Sequence, residues 1–103
     1  MDKFYTPYEI SHMSRNFPEH IPIVFICKTL GKSFKFMLEK TYEIGRFNSI
    51  MHKKLGVYMC KSLILFSCDR IIGSSGTMGM LYQLYKNKDG FVTIYGELES
   101  VFG

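Results

Sequence analysis

The alternation of apolar and polar residues divides the chain into short elements with two different periods. From Ile21 to Cys27 the run Ile-Pro-Ile-Val-Phe-Ile-Cys is β-branched and aromatic, which reads as a buried strand with Pro22 at its start or edge. Leu30-Gly31-Lys32 reads as a turn. From Ser33 to Leu38, Phe34, Phe36 and Leu38 alternate with Lys35 and Met37, a half-buried strand that pairs with the first as a hairpin. The period then changes. Ile44, Phe47, Met51 and Leu55 recur at helical spacing against Arg46, His52, Lys53 and Lys54, and Gly56 supplies the stop. Ser62 to Ser67 is apolar enough for a central strand. A glycine-serine loop, 73–76, leads to a short helix with Met78, Leu81, Tyr82 and Tyr85 on one side and Thr77 as cap. Asn87 to Gly90 makes a turn before a strand over Phe91–Tyr95. Ahead of all this, residues 5–16 carry a weak helical pattern with Ile10 and Met13 on one side, Thr6 and Pro7 opening it and Phe17-Pro18 closing it.

That order predicts an α+β domain: a mixed four-stranded sheet packed on one main helix, with a short N-terminal helical extension. An amphipathic helix must bury its stripe against a sheet face, and the arrangement expected is the β-grasp of ubiquitin. The divisions expected are an extension over 1–18, the ubiquitin-like domain over 19–95, and a flexible tail over 96–103 without a core role.

Composition narrows the function more by exclusion than by indication. With 103 residues, 47% hydrophobic and 16% aromatic, the chain can build one core and is not a disordered sequence. No apolar run reaches the roughly 18–20 residues of a membrane span, and residues 1–17 lack the apolar centre of an export signal. Three cysteines without CxxC spacing, Cys27, Cys60 and Cys68, argue against a disulfide framework and for a reducing compartment. They are expected to be ordinary core or semi-buried thiols. A net charge of +4 suits acidic peptides, nucleic acid or an anionic membrane surface.

Motifs for catalysis are missing. His12, His20 and His52 have no metal-ligand spacing. No Ser/His/Asp or paired-carboxylate arrangement can be argued, so neither an enzyme, a metal nor a cofactor is predicted. The loop Gly73-Ser-Ser-Gly76-Thr-Met-Gly79 before a helix resembles a phosphate cradle but lacks the Lys-Ser/Thr of a Walker motif, and reads as a connection. A small RNA-binding α+β domain is a competing class, with Phe34 and Phe36 beside Lys35 stacking bases.

Several stretches resemble the autophagy ubiquitin-like modifiers, the GABARAP-like proteins. Ile21-Pro22-Ile23-Val24 matches that family's "RIPV" strand. Lys35–Leu38 fits its "KYLV" segment, and Gly45–Phe47 its "VGQF". Tyr82–Phe91 matches "Y…KDxDGFLY". Glu99-Ser100-Val101-Phe102-Gly103 matches the "ES/NT-F/Y-G" end. The likeness spans about residues 9–103. Against the family pattern the N-terminus has room for one helix instead of two, the turn after the first strand is shorter, His20 replaces an arginine, and the glycine-serine loop replaces a proline-rich one.

The resemblance implies a protein tag. The carboxylate of Gly103 would be adenylated, passed between enzyme cysteines as a thioester, and attacked by the amine of phosphatidylethanolamine. Val101 and Phe102 would be the grip for those enzymes and for a deconjugating cysteine protease. As read, the chain ends on Gly103, which predicts that no trimming step is needed. The resemblance also implies a groove for receptor peptides with an aromatic-x-x-aliphatic motif flanked by acids. Its aromatic pocket would use Glu9, Met13, Pro22, Val24, Lys35, Met37 and Phe91, and its aliphatic pocket Phe36, Leu38, Tyr42, Phe47 and Ile50. Lys35, with Lys53 or Lys54, would attract the acids. On the residues alone, Val24, Phe47 and Ile50 read equally well as core. A modifier attached to protein lysine, or an unconjugated motif-binding adaptor, are the nearer alternatives. The localisation implied is cytoplasm and, once lipidated, autophagosomes or other cytoplasmic vesicles, with activating and conjugating enzymes as partners and no nucleic acid.

Overall fold

In the computed structural model the described residues are 4–56 and 61–100. Helix α1 (Pro7–Asn16) starts at a capping box: the Glu9 amide donates to the Thr6 hydroxyl at 3.1 Å, and the Thr6 amide donates to the Glu9 carboxylate at 2.8 Å. Strands β1 (His20–Cys27) and β2 (Lys32–Glu39) form the expected hairpin, turned at Gly31 with φ +64°. Helix α2 (Ile44–Lys54) follows. Then come β3 (Lys61–Ser67), β4 (Arg70–Ile72), α3 (Met78–Tyr85) and β5 (Val92–Ser100).

The sheet has five strands, in the order β2-β1-β5-β3-β4, one more than the four expected. The extra strand, β4, is a short edge hairpin on β3. Its two-residue loop, Cys68-Asp69, has both residues at positive φ, 51° and 63°. That is the geometry whose twist matches a hairpin, and aspartate tolerates it. Cys68 is therefore exposed on a turn and is no core thiol, whereas Cys27 is buried; Cys60 lies outside the described residues.

β1 and β5 run parallel in the middle, and the other pairings are antiparallel. One sheet face carries the main core. Ile21, Ile23, Phe25 and Cys27 of β1, Leu63 and Leu65 of β3, and Val92 and Ile94 of β5 meet Ile44, Phe47, Met51 and Leu55 around α2 and Met78 and Leu81 of α3. The four predicted α2 positions are all buried, as their spacing requires. Phe34 and Phe36 turn to this same face, ring to ring with Phe25 and Phe47 at 5.6–6.5 Å. They are packed against the core, so they offer no open stacking platform for RNA bases.

β5 overturns the expected tail. Lys61 pairs with Ser100, Leu63 with Leu98 and Leu65 with Gly96, so residues 96–100 are strand. The inward alternation Val92, Ile94, Gly96, Leu98 continues without a break. Glycine stands at 96 because a Cβ there would lie 2.5 Å from Cζ of Phe25.

The glycine-serine loop is held as a connection. The Ile44 amide donates to the Gly76 carbonyl, and the first four amides of α3 are all engaged: Met78 with Tyr42, Gly79 with Lys40, Met80 with the Thr77 backbone and hydroxyl, and Leu81 with Thr77. No amide at that helix start is left for a phosphate. No described helix is long and apolar enough to cross a membrane.

Candidate functional site

β2 is an edge strand, because the sheet order places β1 on one side of it and nothing on the other among the described residues. An edge offers unpaired backbone groups to a further strand. Pleating then sorts the β2 side chains. Lys35 and Met37 point to the face where α1 lies, and Phe34, Phe36 and Leu38 to the face of α2.

On the α1 side a second, small cluster forms. Val24, Phe91 and Tyr5 are buried, and Phe4, Ile10, Met13 and Ile26 pack on them. Pro22 is buried beside Val24 on β1. Above this floor the Lys35 ammonium stands 3.5 Å from the Glu9 carboxylate, both side chains more than 40% exposed. Glu9 thus serves two partners at once. Its carboxyl is held below the usual range, chiefly by the Thr6 amide and further by Lys35. Met37 remains 37% exposed.

On the α2 side Phe36, Leu38 and Tyr42 are half-buried against the main core, and Ile50 is exposed. Phe47 lies beneath them, its ring 5.6 Å from that of Phe36. Lys54 sits over Phe34 at 5.0 Å and Arg46 over Tyr42 at 5.4 Å, so cations border this side as well.

The residues singled out in the sequence fall into two groups by exposure. Glu9, Lys35, Met37 and Ile50 present surface. Val24 and Phe47, 0% and 2% exposed, are core residues. Val101, Phe102 and Gly103, the residues expected to serve conjugation, lie outside the described residues.

Tyr5 is the residue that sequence reasoning missed. Its hydroxyl donates to the Phe36 carbonyl at 2.7 Å, with the Ile23 carbonyl 3.4 Å away. Its ring lies 5.4 Å from Phe91, and Lys35 covers it at 4.5 Å. Burial raises its pKa from 10.0 to about 12. A single aromatic upstream of a short helix has no periodic partner that would have marked it.

A hairpin, a main helix and a parallel pair of strands at the centre of a mixed sheet define a ubiquitin-like β-grasp protein. The match of residues 7–103 to the family described as "Autophagy protein Atg8 ubiquitin like" goes further: the chain belongs to that family. Among similar sequences, Autophagy-related protein 8 of Kluyveromyces lactis is 26% identical over 102 residues, covering 92% of this chain and 81% of that protein. Autophagy-related protein 8i of Arabidopsis thaliana is 28% identical over 92 residues, covering 84% and 80%. The crystal structure of Trypanosoma brucei ATG8 superimposes with a TM-score of 0.77 at 21% identity over the full length of both chains, a likeness of fold.

Proposed function

We propose that this protein is a non-catalytic tag of autophagy membranes, joined through Gly103 to phosphatidylethanolamine and read by receptors at the β2 edge. In the coupling, ATP activates the Gly103 carboxylate as an adenylate. An enzyme thiolate displaces AMP to give a thioester, and the lipid amine displaces the thiol to give an amide. The protein supplies the electrophile, and the activating and conjugating enzymes supply the catalysis. A cysteine protease that hydrolyses the amide after Gly103, gripping Val101 and Phe102, would return the protein to the cytoplasm. Family membership supports this reading.

The observation that carries receptor binding is the open edge of β2 between two apolar patches, with cations on both sides. An extended peptide would add a strand to β2. Its aromatic side chain would go toward Met13, Lys35 and Met37, over the floor of Pro22, Val24 and Phe91. Its aliphatic side chain would go toward Leu38, Tyr42 and Ile50, over Phe36 and Phe47. Acidic residues ahead of the aromatic would meet Lys35 and Lys54.

Two experiments test the two halves. Deletion of Gly103 should abolish membrane association in cells and leave the melting temperature unchanged; membrane association that survives the deletion removes the conjugation reading. Calorimetry with an acid-acid-aromatic-x-x-aliphatic peptide should give micromolar affinity, about −8 kcal/mol. Its aromatic-to-alanine form should bind far more weakly, and equal binding of the two removes the groove.

A further inference from the structure

We propose that Tyr5 is an intramolecular occupant of the aromatic pocket beside β2, which an incoming peptide must displace. The inference rests on the docking reading above and adds a device to it. In the β1–β2 ladder Ile23 faces Phe36, flanked by the rows Pro22–Met37 and Val24–Lys35. The Tyr5 hydroxyl is bonded at the Ile23–Phe36 row. Its ring therefore lies across the residues that would receive the motif's aromatic, beside Phe91, in one cluster with Val24 and roofed by Lys35. At 6% exposed it is as covered as a bound ligand. The Lys35–Glu9 pair closes over the same spot.

The attachment is of a kind that can let go. Residues 4–6 lie outside the helices and strands, so lifting Tyr5 breaks side-chain contacts and leaves the ladder whole. Thr6 stays fixed by the α1 capping box and acts as the pivot. Because the peptide finds an empty pocket only when Tyr5 is out, the measured dissociation constant is the intrinsic one divided by the fraction open. The Phe36 carbonyl already accepts from a phenol at this position.

The test is calorimetric titration of the aromatic-x-x-aliphatic peptide, and of its aromatic-to-alanine form, into the full wild-type chain, Tyr5→Ala and Tyr5→Phe, with circular dichroism checking each fold. Tyr5→Ala should bind the aromatic peptide at least about tenfold more tightly. Tyr5→Phe, which keeps the ring and loses one hydrogen bond, should gain about fivefold. The peptide without its aromatic should gain nothing. Equal, aromatic-dependent affinity for all three proteins overturns the occupancy and leaves the docking edge standing. Absence of binding to every protein overturns both. Should Tyr5→Ala fail to fold, 3-fluorotyrosine placed at position 5 of the otherwise wild-type chain decides by 19F resonance. Saturating peptide should move the signal to its position in the urea-unfolded chain, and a signal that stays put while peptide binds overturns the proposal.

Discussion

Replacing Gly96 by alanine adds one methyl group to the middle of the sheet, where the structure leaves no room for it. The new Cβ would stand 2.5 Å and 2.7 Å from Cζ and Cε1 of Phe25 and 3.0 Å from Cδ1 of Leu63. Carbon atoms in contact sit about 3.5–4.0 Å apart, so the ring or the strand must move by about an ångström. The ring is poorly placed to yield: Phe25 is fully buried, with Phe34 at 6.5 Å and Phe47 at 5.9 Å. Overpacking of this sort costs about 1–3 kcal/mol. Gly96 has no positive φ, so alanine also narrows the unfolded ensemble and returns about 0.4–1 kcal/mol. The net expectation is a loss of about 1–2 kcal/mol, a melting temperature lower by about 5–15 °C in a domain of this size. Thermal and urea unfolding followed by circular dichroism measure it. An unchanged melting temperature would refute the packing argument and restore the reading of residues 96–100 as a loose tail.

Met37→Ala should weaken the motif peptide. Complete burial of a methionine contributes about 1.5–3 kcal/mol, and 37% of Met37 is still open to be covered, so the loss is about 1 kcal/mol or fivefold in Kd. Equal titration curves for wild type and variant would place the peptide elsewhere. Lys35→Glu should weaken it further, because it sets a second carboxylate beside Glu9 and against the peptide's acids; undiminished binding at low salt contradicts this. Neither change should lower the melting temperature as far as Gly96→Ala does. In alkaline titration, phenol absorbance should show Tyr5 ionising late, near pH 12. The raised folded-state pKa means Tyr5 contributes stability in full below pH 10, and that contribution is lost as pH rises from 10 through about 12. The late step should vanish in Tyr5→Phe, and its persistence there would assign it to another residue.

Most of the fold can be read in the sequence because its elements obey local rules. Thr6 and Thr77 cap the helices they were expected to cap, and the stripe Ile44, Phe47, Met51, Leu55 is buried throughout. The two errors share a cause: a residue was read for backbone behaviour when packing or an unusual turn decided. Gly96 looks like a strand terminator, yet it is a strand glycine making room for Phe25. Cys68-Asp69 lacks the glycine that marks a tight hairpin, so β4 went unseen. The proposed docking edge is less legible. Periodicity gives the exposure of Lys35 and Met37, but the convergence of α1 and β1 on Phe91 is a tertiary fact with no mark in the local sequence. Val24 and Phe47 carry no mark in the sequence that separates a pocket wall from a core residue. Tyr5 is silent for the same reason, since its partners lie 18 and 31 residues away.

Covalent attachment of lipid at Gly103 would change the mass of the protein by a known amount. The direct measurement is the intact mass of the protein after incubation with ATP, the family's activating and conjugating enzymes, and liposomes containing phosphatidylethanolamine. A new species heavier by one phosphatidylethanolamine less one water should appear, absent without ATP and absent from the chain lacking Gly103. A mass that stays at the starting value under the complete mixture, with the enzymes shown to be active on a relative, would contradict the attachment.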